Sequence, residues 1–187
     1  MAVPIQKRFL TVDEFRQAAE DGALPLEARL ELIRGELVEM APIGDGHAGS
    51  VRRLNRQFSS RLSSYAIVDV QNPILLRRQA SEPQPDLALL RLRDDLYSTG
   101  TPTPADILLV VEVADSSLSY DRKVKMQLYA EADITEVWLV DLNSDTIFVH
   151  RRPSPAGYQE VRACRRGDSI SSEAFPEVRF TVDEILG

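Results

Sequence analysis

The sequence predicts an α/β (α+β) fold with one central mixed sheet flanked by helices and preceded by an N-terminal helix and hairpin. Three observations lead there. Helix-period stretches alternate with short apolar runs along the chain, the order expected when helices pack on a sheet. The run Ile107–Ala114 is almost continuously apolar, the pattern of a strand covered on both faces. The chain of 187 residues, 43% of them hydrophobic, suits one domain with a sizeable core. That domain is expected to span residues 1–187, with its core over about 27–152 and a less regular C-terminal extension over 153–187.

The elements follow in order. Thr11-Val-Asp-Glu is a capping-box pattern that opens a helix over about residues 11–21. Leu30–Ile33 and Glu36–Met40 flank Arg34-Gly35, a hairpin turn in which Gly35 supplies a positive φ. The loop PIGDGHAG leads into a helix near residues 46–63. Val51, Leu54, Phe58 and Leu62 share one face of this helix, and Arg52, Arg53 and Arg56 point the other way. These arginines form either a solvated face or a phosphate-contacting patch. Strand-like runs come next at Ala66–Val70, Ile74–Arg77, Asp86–Arg91 and Ile107–Ala114. A second helix covers about 117–132, followed by the runs Glu136–Asp141 and Thr146–Arg151. Pro153, Pro155 and Gly157 mark a loop before the tail.

Composition removes several function classes. No apolar run approaches the ~20 residues of a membrane helix, and MAVPIQKRFLTVDEF lacks the pattern of a secretory leader, so a cytoplasmic protein is expected. The single Cys164 excludes an intramolecular disulfide and a cysteine-built zinc site. With only His47 and His150 as imidazoles, a metal would be held mainly by carboxylates, which suits Mg²⁺ or Mn²⁺. The net charge of −7 counts against a passive nucleic-acid coat protein. It does not exclude an enzyme whose carboxylates hold a metal.

Three charged residues stand where the pattern asks for apolar ones. Glu112 lies inside the apolar run, where strand alternation groups it with Leu108, Val110 and Ala114. Burying a lone carboxylate is costly unless it is neutralised, paired or bound to a metal. Asp86 follows Pro85 and opens the neighbouring run, which puts it at a strand mouth. On its own it also reads as a turn-capping aspartate. Lys125 falls within the helical stripe of Leu118, Leu128, Tyr129 and Ala132, with Asp121 one turn earlier on the same side. A lysine there needs a partner, and Glu112 or Asp86 is the candidate. A structural ion pair is the alternative. Taken together, Asp86 and Glu112 offer oxygens to one hard cation, and Lys125 would orient a metal-activated water and offset charge building on a phosphate.

The segments RLELIRGELVEM, the loop ending at His47, PQPDLALLR, and LLVVEVADSSLSYDRKVKMQLYAEADITEVWLVD resemble the Uma2 family of DUF820-type proteins. That family sits in the PD-(D/E)XK, restriction-endonuclease-like superfamily, and the resemblance covers about residues 8–152. It implies a restriction-endonuclease-like fold and Mg²⁺-dependent cleavage of phosphodiester bonds, with DNA as the expected substrate. Asp86 and Glu112 take the motif's acidic positions. The usual motif lysine, two residues after the glutamate, is replaced here by Ala114, and Lys125 matches a family lysine on the following helix. Glu31, Asp121 and Tyr129 also match family positions. His47 is either a site residue or a hydrogen-bonding histidine at a helix start. Asp133 stands where similar sequences carry glycine, and aspartate tolerates the left-handed backbone that a helix end asks for.

The expected function is therefore a Mg²⁺- or Mn²⁺-dependent endonuclease. The alternative is a non-catalytic nucleic-acid-binding or regulatory module on the same fold. A homodimer is expected, paired through the strand Thr146–Arg151 or the N-terminal hairpin.

Overall fold

The computed structural model describes residues 8–25, 29–115 and 117–187. The expected start of the core at residue 27 lies outside them, as do residues 1–7 of the N-terminal stretch in which no leader pattern is read. Helix α1 (Val12–Glu20) starts at Thr11, whose side chain accepts from the Glu14 N–H while the Glu14 carboxylate returns to the Thr11 backbone, the capping box that the sequence spells. Strands β1 (Leu30–Ile33) and β2 (Glu36–Glu39) pair antiparallel around Arg34 and Gly35. Both turn residues are left-handed, with φ of 52° and 78°, as a two-residue primed turn requires.

Gly35 is confined as well as twisted. A Cβ there would stand 2.7 Å from Phe9 Cβ and 2.9 Å from the Leu10 carbonyl oxygen. Gly35→Ala is expected to destabilise the protein by about 1–3 kcal/mol, the usual cost of a strained left-handed residue. Urea denaturation checks this through a lower midpoint at unchanged slope.

The central sheet has six strands: β3 (Ile67–Asp69), β4 (Leu87–Leu90), β5 (Ile107–Ala114), β6 (Glu136–Asp141), β7 (Thr146–Ser154) and β8 (Gly157–Arg165), adjacent in that order. The β5–β6 pair is parallel and the others are antiparallel. Helix α2 (Asp45–Leu62) covers one face with Val51, Leu54, Phe58 and Leu62, packed against Leu109, Val111, Val113 and Trp138. Phe58 meets the Trp138 ring edge-on at 5.8 Å between centroids. The other face is covered by the crossover between β5 and β6, whose Met126, Leu128, Tyr129 and Ala132 pack on Val110, Ala114, Val137 and Leu139. This burial on both faces is what the unbroken apolar run of β5 predicts.

The crossover itself is interrupted. A short α-helical turn, α3 (Leu118–Tyr120), passes into a π-helical turn over Asp121–Lys125 and then into α4 (Met126–Glu131). The chain leaves α4 through Asp133 at φ 59°, the left-handed position anticipated for that aspartate.

Four expectations are corrected. Ile74–Arg77 forms no strand: Ile74, Leu75 and Leu76 are buried, but Leu76 makes one isolated bridge to Ser81 before a 3₁₀ turn at Arg77–Gln79. The chain reverses there through Ala80 at φ 46°, which leaves no length for a ladder. Leu108 does not share a face with Glu112; it packs against the α2 side, because the β4–β5 register slips between Leu89 and Leu90. Thr146–Arg151 is no dimer edge, since β7 lies between β6 and β8. The tail is regular, too. Beyond the hairpin turn at Pro155 and Ala156 come β8, a two-residue ladder of β9 (Ser169–Ile170) with β10 (Phe180–Thr181), and helix α5 (Val182–Leu186). Its apolar residues are widely spaced, yet Cys164, Ile170, Phe180 and Ile185 all enter the α2-side core. No helix among the described residues is long and apolar enough to cross a membrane.

Candidate active site

Four elements bring buried charges to one cavity of about 380 Å³. Strand β4 delivers Asp86 because its register places Leu87 opposite Val111, so the preceding residue reaches the next peptide of β5. Asp86 Oδ2 accepts the Val113 N–H at 2.8 Å. It also meets His47 Nε2 at 3.0 Å, from the first turn of α2. Gln71 Nε2 donates to Oδ1 at 3.2 Å.

Strand β5 delivers Glu112 to the crossover side of the sheet. Its Oε1 accepts the Tyr129 hydroxyl at 2.5 Å and lies 3.2 Å from Lys125 Nζ. Strand β1 delivers Glu31, whose Oε1 accepts from Lys125 Nζ at 3.0 Å and from the Gln84 N–H at 2.7 Å. Asp121 enters from the π-helical turn and accepts the Ser117 hydroxyl at 2.5 Å. The widened turn sits between Asp121 and Lys125, where such π-bulges often mark functional positions.

Burial and mutual charge govern the protons. Burial drives the Glu112 carboxyl well above the usual carboxylate range; Lys125 opposes this, and Asp121, Asp86 and Glu31 add to it. Burial likewise raises Asp121, again against Lys125. Burial alone would pull the Lys125 ammonium down, but Glu112, Glu31 and Asp121 outweigh it and hold it charged. One ammonium therefore faces three carboxylates, and the excess negative charge raises the affinity of the group for a proton or a second cation. Tyr129 is pushed far up by burial and stays a neutral donor to Glu112. The hydrogen bond to Asp86 raises His47, against its own burial.

Two polar atoms of residues lining this cavity are buried without partners among the described residues, the Tyr120 hydroxyl and His47 Nδ1. Such orphans ask for a water, ion or ligand. Among the described residues no three His, Cys, Asp or Glu side chains stand as a preformed metal centre. The donor set still fits Mg²⁺, which keeps several waters and takes one or two carboxylates. Oε1 of Glu112 is engaged twice, and Oε2 accepts no hydrogen bond from the described residues.

The structure thus brings together Asp86, Glu112, Lys125, Glu31, His47, Asp121 and Tyr129. It does not bring Arg52, Arg53 or Arg56 to the cavity. Arg52 and Arg56 are exposed, and Arg53 donates to the carbonyls of Ile185 and Leu186 at the end of α5. Sequence reasoning missed Tyr120, Gln71 and Gln84. Asn72-Pro73 signals a turn beside Gln71, but nothing marks that side chain as a partner for Asp86. A larger, more open cleft of about 1120 Å³ lies elsewhere, between Tyr65, Arg78, Leu92 and Phe175. The buried acid–lysine group is not in it, so chemistry rather than volume selects the smaller cavity.

Comparison with known proteins agrees with this assignment of the fold. The Uma2 family, described as "Putative restriction endonuclease", matches residues 12–183. A crystal structure of "a putative nuclease belonging to DUF820 from Anabaena variabilis ATCC 29413" superposes with a TM-score of 0.71, covering 95% of this chain and 97% of that one at 16% identity. At that identity the likeness shows the fold. None of the curated proteins matches.

Proposed function

The chain belongs to the Uma2 family, and from that premise we propose that it is a metal-dependent endonuclease, hydrolysing phosphodiester bonds in DNA with Mg²⁺ or Mn²⁺. The observation that carries this reading is the buried ammonium of Lys125, 3.0 Å from Glu31 and 3.2 Å from Glu112, in one cavity with Asp86 and Asp121. Asp86 and Glu112 are the residues that would hold the ion. When bound, the ion supplies Lewis acidity toward the phosphate and a bound water of lowered pKa.

The protein's own groups do the rest. Lys125 fixes Glu31 and Glu112 and places positive charge beside the cavity, where charge builds on the phosphate oxygens. Tyr129 aims the Glu112 carboxylate by donating to Oε1. His47, Gln71 and the Val113 N–H hold Asp86 on both oxygens. Outer contacts of this kind are commonly worth 10–100-fold in metal affinity or activity. The cavity also receives Gly44, the N-cap of α2, which no side chain caps. That positive helix end favours an anion.

Thermal unfolding in Mg²⁺ or Mn²⁺ tests the proposal. At a metal concentration 100-fold above Kd the folded state gains about 2.7 kcal/mol, and Asp86→Asn is expected to remove most of that gain. No metal-induced shift in the wild-type protein would favour a non-catalytic binding module on the same fold.

A further inference from the structure

We infer that this site takes an unpaired nucleic-acid strand, passing beneath the chain segment Val38–Gly44, and not an intact duplex. The inference rests on the nuclease reading above and narrows its substrate. The groups that would act on the phosphate are not on the surface: Glu31 is 1% exposed, Glu112 3%, Lys125 4% and Asp86 6%. They lie at the base of a cavity of about 380 Å³, at the small end of the about 300–1,000 Å³ typical of sites for small ligands. Val38, Met40, Pro42 and Ile43, from β2 and the segment that leads into α2, line the same cavity.

Charge sets the same limit. Duplex DNA carries one negative charge per ≈1.7 Å of its axis and is held by lysines and arginines that neutralise its phosphates. Among the described residues that line the cavity, the lysines and arginines are Arg29 and Lys125, and Lys125 already serves two carboxylates. Around them stand Glu31, Glu39, Asp86, Glu112, Asp115 and Asp121. A duplex would bring two rows of phosphates to this acidic cavity. A single strand brings one row and can turn its bases onto the apolar wall, as flipped bases lie against apolar side chains in other enzymes.

Two closed circles of the same sequence test this, one single-stranded and one a relaxed duplex, each incubated with the wild-type protein and Mg²⁺ or Mn²⁺. Relaxation matters because negative supercoiling helps strands separate. Opening even one base-pair step slows a reaction by about tenfold, so the single-stranded circle is expected to be linearised at least that much faster than the duplex is nicked. Duplex nicking at an equal or higher rate overturns this inference and leaves the nuclease reading standing. Failure to cut either circle with either metal removes the nuclease reading, and this inference with it.

Discussion

Lys125→Met is expected to destabilise the protein by about 3–5 kcal/mol, the cost of removing one partner from a buried ion pair. The side chain of Lys125 is 5% exposed and those of Glu31 and Glu112 are 2% and 4% exposed, so water does not replace the lost ammonium. For a protein of this size the change corresponds to a fall in Tm of roughly 6–20 °C. The loss arises chiefly from leaving two carboxylates uncompensated, and a second substitution separates that cause from lost packing. Glu31→Gln combined with Lys125→Met leaves one of the pair to be neutralised, and Glu112 is the group that burial already drives toward its protonated form. The double variant is therefore expected to be more stable than Lys125→Met alone, with a coupling between the two sites that a double-mutant cycle reads directly. A Lys125→Met protein within about 1 kcal/mol of wild type would mean that the ammonium does not hold the carboxylates together.

The parts of this molecule that were legible in its sequence are those where one local rule decides. Thr11 and Glu14 spell a capping box, Arg34-Gly35 a primed turn, and the spacing of Val51, Leu54, Phe58 and Leu62 a helix face; each is found as read. Glu112 and Lys125 stood out because a charge on an apolar strand or stripe demands a partner, and the structure pairs them with each other at 3.2 Å. Glu31 was less visible. Nothing in β1 itself points to Lys125, and it reaches the cavity only because the hairpin docks on the chain before Asp86, through the Leu32–Glu82 bridge and the Gln84 N–H. Long-range docking of that kind leaves no local signal.

The misread regions have similar causes. Ile74–Leu76 carries strand-like residues but is buried as a turn-flanked loop, so tertiary packing overrides its propensity. In the tail, the apolar residues of β8 to α5 are too sparse for a periodic pattern, although their contacts with α2 are extensive enough to bury Phe180 and Ile185 almost completely. The π-helical turn at Asp121–Lys125 is also invisible to a 3.6-residue period. The stripe argument still placed Lys125 correctly, because the α-helical residues that follow it keep the register of Leu128 and Tyr129.

We propose that Glu112 and its neighbours hydrolyse a phosphodiester with a bound metal. DNA cleavage with wild type and Glu112→Gln side by side, in Mg²⁺, in Mn²⁺ and in EDTA, tests this most directly. The amide keeps the size of the side chain and an oxygen for the Tyr129 hydroxyl, so the variant is expected to fold, which its thermal unfolding verifies. Loss of a residue proposed to hold the metal should exceed the 10–100-fold typical of outer contacts. Metal-dependent cleavage by the wild type is expected, with none in EDTA and a fall of more than about 100-fold in the folded variant. Cleavage that survives in Glu112→Gln at the wild-type rate would contradict this proposal.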